Sequence, residues 1–423
     1  MRKFAVDISP LKRYPDFRNL WSSGLISYFG SMITYVAIPF QIKHLTGSYI
    51  AVGLIGAVEL IPLIIFGLYG GVLADKVDRQ KMIWATEAGA MIMTITLLIN
   101  SMLPHPSLIW LYIVAALYAA IDGLQRPSSD AILPRLVHHD DLAATSALMS
   151  LRWQTGVVIG PSVAGVLLAS TGIKTAFAAD IATYVISLIF LAKVKSVKPV
   201  EKSEAPTLKS LVDGLKYATS RKDLLGTYLV DLSAMFWAMP TALFPFWADQ
   251  LHATWALGLF YAAGTVGSII VTLTSGWVKR YQKHGRAITF AAIGWGISIA
   301  FAGATKSIWV TLFFLTLAGA SDMVSALFRG LIWNQSIADE YRGRLAGIEL
   351  LSYSVGPLGG QLRAGSMAAW TNLRTSVVSG GLICIAFIGF FASILPDYRK
   401  YDADTNEFAQ NEREKRKNND QNR

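Results

Sequence analysis

The sequence predicts an all-α membrane protein in which twelve transmembrane helices form two pseudo-symmetric six-helix bundles. Of its 423 residues, 53% are hydrophobic and only 16% are charged, and the mean hydropathy is +0.43. A soluble domain of ordinary composition carries about 25% charged residues, so the chain is too apolar for that class. The apolar sequence divides into about twelve segments of about 20 residues, the length that crosses a hydrocarbon core about 30 Å thick.

An internal duplication assigns these segments to two bundles. Three features of the first half return in the same order in the second half: Gly71 aligns with Gly276, Asp122 with Asp322, and Gly160-Pro161 with Gly356-Pro357. Matches in one order indicate a duplicated half, because chance matches would not keep that order. Duplicated membrane halves are typical of secondary transporters.

Four regions follow from hydropathy along the chain. Residues 1–194 form the first bundle behind a basic leader, with spans at 20–42, 50–74, 81–101, 107–130, 143–169 and 172–194. Residues 195–222 form a polar linker, in which 208–218 has the apolar spacing of a helix lying along the membrane surface. Residues 223–395 form the second bundle, with spans at 223–248, 254–278, 286–304, 307–330, 344–370 and 374–395. The polar tail 396–423 is predicted to be disordered.

The orientation follows from Lys and Arg residues, which are retained on the cytoplasmic side of a membrane. Alternate loops are rich in them, from the leader through the linker to the loops 279–286 and 342–344, whereas the intervening loops are sparse. We therefore expect a multi-pass protein of the inner (cytoplasmic) membrane with both termini in the cytoplasm.

The same distribution excludes other classes. The net charge is +10, but the basic residues lie in separate loops and form no continuous stripe, so we expect no nucleic-acid partner. The single cysteine, Cys384, excludes an intrachain disulfide. The sequence has no Walker loop, zinc-spaced cluster or hydrolase elbow, which predicts no cofactor, no metal site and no enzymatic activity. Transport would then use an ion gradient or the gradient of the substrate itself.

A charged hairpin between the second and third spans carries a family resemblance. Its residues Gly71, Asp75, Lys76, Arg79 and Lys81 match the first-hairpin signature of the major facilitator superfamily, which the sequence resembles over nearly its whole length. Asp78 stands where the signature has glycine. In this respect, and in the stretches Ile121-Asp122-Gly123-Leu124 and Gly258-Leu259-Phe260-Tyr261-Ala262-Ala263, the chain is similar to the subgroup of enterobactin and other siderophore exporters.

The resemblance implies the major facilitator fold and a conformational latch at this hairpin. Asp75 is close enough in sequence to pair with Arg79 and to interact with the free N–H groups that begin the next helix. A solvated loop whose charges only set the orientation is the alternative. That alternative does not require an aspartate or the glycine before it.

A second motif consists of small residues and prolines within two spans. It comprises Gly156, Gly160, Pro161 and Gly165 in the fifth span and Gly356 and Pro357 in the eleventh. Small residues four apart allow helices to approach closely, and proline bends a helix by removing a backbone hydrogen bond. The motif resembles the antiporter motif of drug and siderophore exporters, which favours export over import.

Ionisable residues inside the spans form the third signal, because each buried charge costs several kcal/mol unless it faces water or a partner. The candidates for coupling or for a substrate cavity are Glu59, Arg152, Asp231, Asp122 and Asp322. Glu59 and Arg152 are expected near the midplane, and Glu59 is the predicted proton-responsive carboxylate with Asp231 in reserve. Interhelical ion pairs are the alternative role, which we also consider for Asp180, and Glu87 is expected to lie near a helix end.

These patterns predict a secondary active transporter that exports a small amphipathic organic solute by alternating access, with proton antiport as the coupling and a siderophore as one candidate substrate. Its expected partners are membrane lipid, the solute and protons, and it is expected to be a monomer. A multidrug or macrolide-type efflux transporter is the first alternative. A non-transporting membrane receptor or scramblase on the same scaffold is the second.

Overall fold

The computed structural model describes residues 7–74, 76–197 and 208–421, and within these ranges the chain forms helices and no strands. The helices of the first half are α1 (Ser9–Arg13), α2 (Pro15–Thr46), α3 (Tyr49–Ala74), α4 (Arg79–Met102), α5 (Leu108–Leu136), α6 (Leu142–Ser170) and α7 (Ile173–Leu191). After the linker come α8 (Leu208–Ser220), α9 (Lys222–Ala238), α10 (Phe244–Gln250), α11 (Leu257–Thr274), α12 (His284–Ala304), α13 (Ile308–Ser336), α14 (Asp339–Trp370), α15 (Leu373–Ile394), α16 (Pro396–Arg399) and α17 (Glu407–Gln421).

Eleven segments in the described part of the chain are long and apolar enough to cross a membrane. The helix α14 has 32 residues, which at about 1.5 Å per residue also exceeds the thickness of a bilayer core. It is less apolar because six of its residues are charged. The predicted all-α membrane fold is confirmed, and twelve spanning helices agree with it.

The chain separates into two compact units. Unit 1 takes the described residues before 198 together with Phe244–Ala262, and unit 2 takes the described residues from Leu208 to Leu243 and from Ala263 onward. The contacts of Phe244–Ala262 thus group with the first half of the chain. The division at 194, 222 and 395 that follows from hydropathy stays a prediction.

Each unit has the same internal packing, as the duplication requires. In unit 1, α2 packs on α6 and α7, and α4 packs on α5 and α7. In unit 2, α9 packs on α14 and α15, and α12 packs on α13 and α15. Glycines allow close helix approaches in both units: a Cβ added at Gly123 would lie 2.7 Å from the backbone N of Gly67, and one at Gly319 would meet the backbone of Gly264.

The seventh predicted span, 223–248, lies within one apolar segment long enough to cross a membrane, Lys222–Gln250, but its helix is interrupted. The helix α9 ends at Ala238, and Met239 has an extended backbone with φ −90° and ψ 108°. Proline at the next position disfavours the helical conformation for the residue before it, and Pro240 follows Met239. The chain resumes as a 3₁₀ turn at Thr241–Leu243 and then as α10.

The predicted disorder of the tail is also wrong for its described residues. Tyr398 and Tyr401 are buried, and Ala409 on α17 is buried as well. Tyr398 fits against two glycines, because a Cβ at Gly226 would meet its ring and a Cβ at Gly285 would meet its carbonyl oxygen. Two buried aromatic rings give this polar segment enough apolar surface to dock on unit 2.

Candidate functional site

Unit 1 places an ion pair on one face of α5. The Nε atom of Arg126 lies 3.1 Å from a carboxylate oxygen of Asp122, four residues earlier and therefore on the same helix face. The two side chains are 56% and 52% exposed, although both lie in a membrane-spanning helix. Charged side chains within a membrane-spanning helix are stable where they face water or a polar cavity. This face of α5 is therefore a candidate site.

Three other helices bring polar groups to the same region of unit 1. Glu59 on α3 is partly buried and within electrostatic range of Asp122. Tyr28 on α2 is within range of Asp122, Arg126 and Arg152. Glu59, Asp122 and Arg152, which the sequence singled out separately, are thereby brought into one group, and we call Tyr28, Glu59, Asp122, Arg126 and Arg152 the charged face of unit 1.

Two contacts place the α6 members of this region against α2. The guanidinium of Arg152 lies over Gly24, where any Cβ would collide with it. One turn further along α6, a Cβ at Gly156 would meet the ring of Tyr28. Glycine at both positions lets α6 approach α2 closely enough for the guanidinium and the phenol ring to share one site.

Unit 2 pairs the predicted aspartates with an arginine that the sequence analysis did not identify. Arg329 on α13 forms an ion pair with Asp231 on α9, and a second nitrogen of Arg329 lies 3.9 Å from Asp322. The hydroxyl of Ser352 on α14 donates a hydrogen bond of 3.0 Å to Asp231. Asp231 is only 5% exposed, so its carboxylate is largely shielded from water.

The hairpin after α3 is organised by Asp78. Its carboxylate caps α4 by accepting hydrogen bonds from the backbone N–H groups of Gln80 (2.9 Å) and Lys81 (3.2 Å). It also accepts hydrogen bonds from the hydroxyl of Ser196 and from the backbone N–H of Val197. Asp78 thus joins the start of α4 to the segment that follows α7, a role that the glycine of the family signature could not fill.

The structure places only some members of the predicted latch. Gly71 lies in the last turns of α3, Lys76 and Lys81 are exposed, and Arg79 is 8% exposed at the start of α4. Asp75 lies outside the described residues. The latch therefore stays a prediction.

Partial burial acts to raise the pKa of Asp78. The hydrogen bonds from Ser196 and from the backbone N–H groups of Lys81, Val197 and Gln80 act in the opposite direction and hold that pKa below its ordinary value. The carboxylate is therefore ionised at neutral pH, and its charge favours the N-terminal end of α4.

The glycine and proline motif lies at helix contacts in both units. In unit 1, a Cβ at Gly160 would lie 2.5 Å from Cβ of Met32 on α2, and one at Gly165 would lie 2.5 Å from the backbone N of Gly258. In unit 2, a Cβ at Gly356 would lie 2.8 Å from Cβ of Met235 on α9. Pro161 and Pro357 lie inside α6 and α14, next to these contacts.

Comparison with known proteins gives one consistent family. A family model described as transmembrane secretion effector matches residues 5–420. The enterobactin exporter EntS of Citrobacter koseri is 27% identical over 390 residues, which cover 92% of this chain and 94% of the relative. EntS of Escherichia coli O81 is 28% identical over 395 residues, with the same two coverages.

Solved structures with the same fold are transporters. A mutant of the nucleoside transporter NupG superposes with a TM-score of 0.72 at 10% identity and covers 90% of this chain and 98% of that one. A bacterial homologue of the human lysosomal transporter Spinster gives 0.71 at 14% identity, with coverages of 93% and 97%. The chain therefore belongs to the transmembrane secretion effector family of the major facilitator superfamily, whose members are membrane transporters and not enzymes.

Proposed function

We propose that this transporter exports a small amphipathic organic solute of the siderophore class in exchange for protons. The observation that carries the proposal is the charged face of unit 1, where two guanidinium groups, two carboxylates and a phenol meet within membrane-spanning helices. A scaffold without a transport function has no reason to keep such costly groups there. The similarity to enterobactin exporters over 92% of the chain favours the siderophore class.

The chemistry of this face fits an aromatic, acidic solute. Arg126 and Arg152 offer planar guanidinium groups, which bind oxygen anions with two parallel hydrogen bonds and stack on aromatic rings. Tyr28 adds a ring and a hydroxyl group. A second ring comes from Tyr35, which packs edge-on against Tyr261 within unit 1, with ring centroids 5.7 Å apart.

Proton exchange would use a carboxylate of the same face. Glu59 lies close enough to Asp122 for the two negative charges to repel each other, so protonation of Glu59 removes that repulsion. Release of the solute and uptake of a proton would then be coupled through one cluster. Asp231 becomes the weaker candidate because it is paired with Arg329.

The hairpin would act as the latch that is remade in each transport cycle. Asp75→Asn should leave the amount of protein in the membrane unchanged and slow transport, because a contact of one conformation is altered rather than the packing of a bundle. Equal transport rates for the variant and the wild type, at matched protein levels, would remove the latch from the mechanism.

Export from intact cells tests the substrate class. Cells that make a catecholate siderophore and lack their own exporter should secrete it when they express this protein. Arg126→Gln should lower secretion about tenfold, as expected for the loss of one charge-assisted hydrogen bond. Arg135→Gln, at an exposed position near the end of the same helix, is the matched control and should leave secretion unchanged. Failure to secrete, together with increased resistance to macrolides, would favour the drug-efflux alternative.

A further inference from the structure

Four helices of unit 1 enclose polar side chains at a regular spacing. The helices α2, α4, α5 and α7 pack on one another, and each carries two polar residues seven positions apart: Ser27 and Thr34, Glu87 and Thr94, Tyr118 and Gln125, and Asp180 and Ser187. Seven residues are about two helical turns, so both members of a pair lie on one face, about 10 Å apart along the axis. The result is two polar layers inside the unit.

The first layer surrounds Glu87, which is only 6% exposed. Its carboxylate accepts hydrogen bonds from the hydroxyl of Ser27 (3.0 Å), the amide of Gln125 (3.0 Å) and the hydroxyl of Ser187 (3.2 Å). Ser23 extends this layer through a 2.7 Å hydrogen bond with Ser187. We call these residues the Glu87 layer.

The second layer surrounds Asp180, which is fully buried. One carboxylate oxygen accepts hydrogen bonds from the hydroxyls of Thr34 and Thr94, the latter at 3.2 Å. Its other oxygen lies 3.3 Å from the hydroxyl of Thr183, and Thr94 is in turn hydrogen bonded to Tyr118. We call these residues the Asp180 layer.

Two further hydroxyl groups lie between the two layers. Tyr184 on α7 is hydrogen bonded at 2.8 Å to Ser31 on α2 and lies within electrostatic range of Tyr118 of the Asp180 layer. Ser31 donates to the backbone oxygen of Ser27, which belongs to the Glu87 layer. A backbone oxygen only accepts hydrogen bonds, so the row of hydroxyls ends there and water has to carry a proton across the remaining gap.

The Glu87 layer is also the end that approaches the charged face. Gln125 follows Asp122 by three residues on α5, and Arg152 lies within electrostatic range of Glu87. Among the described residues, the groups that surround the two carboxylates, directly or through one hydrogen-bonded neighbour, are Ser23, Ser27 and Thr34 from α2, Thr94 from α4, Tyr118 and Gln125 from α5, Arg152 from α6, and Thr183 and Ser187 from α7.

The helix packing itself does not require these acids. In unit 2 the corresponding contact between α12 and α15 is closed by glycines, since a Cβ at Gly296 would lie 2.9 Å from the backbone oxygen of Gly381. Burying an ionised group costs more free energy than burying a neutral one. Two buried carboxylates held mainly by hydroxyl groups therefore destabilise this interface relative to a glycine contact.

We propose that the Glu87 and Asp180 layers form an internal proton-binding site that exchanges protons with the charged face of unit 1. A proton from water at that face binds the Glu87 carboxylate and cancels one negative charge. A water molecule between the layers then takes the proton from Glu87 as it gives one up toward Asp180, because the row of hydroxyls is interrupted at the backbone oxygen of Ser27. The proton comes to rest on Asp180, and Glu87 is ionised again. The inference rests on the proposed coupling to protons and identifies where unit 1 would hold the exchanged proton.

Infrared difference spectroscopy tests this on the full-length protein in lipid, without any solute. Acidification from pH 9 to pH 5 should produce the carbonyl-stretch band of a protonated carboxylic acid in a non-aqueous environment. Asp180→Asn should remove that band, and Glu87→Gln should shift the pH at which it appears. Asp140→Asn, the same chemical change at an exposed carboxylate, should leave the band unaltered.

Conservative variants of the hydroxyls provide a second measurement. Thr94→Val keeps the shape of the side chain and removes its hydrogen bond to Asp180, so the Asp180 band should move to higher frequency while the protein stays folded. Thr34→Val should move the band in the same direction, because it removes the other hydroxyl that donates to the same oxygen of Asp180.

A difference spectrum that is the same in wild type and Asp180→Asn would overturn the proposal, and so would a band that responds to Na⁺ at constant pH, which would indicate a sodium site. Neither result depends on export. If the protein exports its solute but shows no such band, the proposed function stands and the proton-binding site does not. If the band is present but the solute is not exported, the proton-binding site stands and the proposed function does not.

Discussion

Arg329 on α13 and Asp231 on α9 form an ion pair inside unit 2, and neither residue is more than 5% exposed. Ser352 and Asp322 complete the surroundings of the pair from α14 and α13. Three helices are thus joined through the carboxylate of Asp231, which contacts Arg329 on α13 and Ser352 on α14. Removing one partner of a buried ion pair destabilises a protein far more than replacing both partners by apolar residues of similar shape. Stability measurements on such variants therefore test the pair.

The first prediction concerns the difference between breaking this ion pair and replacing it by an apolar pair. Arg329→Met should destabilise the protein by about 3 to 5 kcal/mol, because it leaves the Asp231 carboxylate buried without its cation. The double variant with Asp231→Leu should recover most of the loss. Thermal unfolding of the purified variants measures both effects. If the double variant were as unstable as the sum of its single variants, the two residues would not act as a pair.

The second prediction concerns the cap at Asp78. Asp78→Ala should cost about 1 kcal/mol through loss of the cap of α4, whereas Asp78→Asn keeps a capping side chain and removes only the charge. The contacts of Asp78 hold its pKa below the ordinary value of 3.8. The charge therefore stabilises the folded state above pH 3.8, and this contribution is lost as the pH falls through the lowered pKa.

Melting temperatures of the wild type and of Asp78→Asn, measured between pH 3 and pH 7, check that sign. The wild type should be the more stable protein at neutral pH, and the difference should shrink below about pH 4. A difference that grows on acidification would contradict the hydrogen-bonding role of the carboxylate.

The third prediction concerns the docked tail. Tyr398→Ala should destabilise the protein by about 3 kcal/mol, because it empties the space beside Gly226 and Gly285. Tyr398→Phe removes only the hydrogen bond of 3.1 Å from Thr289 and should cost about 1 kcal/mol. Urea or thermal unfolding distinguishes the two. Equal stability of Tyr398→Ala and wild type would show that the tail does not hold unit 2 together.

The fourth prediction is the orientation. A reporter enzyme fused after Arg423 should report the cytoplasm, and one inserted near Pro104 should report the opposite side, because Lys and Arg concentrate in alternate loops. A reporter that is active only on the outside when it is fused to the C-terminus would reverse the orientation.

Hydropathy predicted the positions of the spans well, and α3, expected at 50–74, runs from Tyr49 to Ala74. It could not predict the direction in which a side chain points around its helix. Glu87 was therefore expected to be an ordinary residue near a helix end, although it is buried among three helices. Arg329 was missed because it lies at the end of the predicted span 307–330, whereas α13 continues to Ser336.

Two of the remaining differences had signals in the sequence. Pro240 marked the break after α9, but the apolar residues on both sides concealed it. Tyr398 and Tyr401 are aromatic residues in a segment whose average composition indicates disorder, and averages conceal single anchoring residues. Asp78 departed from the family signature, yet the partner that explains it, Ser196, lies more than 100 residues away in sequence.

The most direct test of the account is transport driven by a proton gradient in reconstituted vesicles. A catecholate siderophore should move against its own gradient when a pH gradient is imposed, and Glu59→Gln should abolish this movement while solute exchange without a gradient persists. Glu414→Gln, at an exposed position on α17, is the matched control and should behave as the wild type. Gradient-driven transport that is undiminished in Glu59→Gln would contradict proton coupling through the charged face of unit 1.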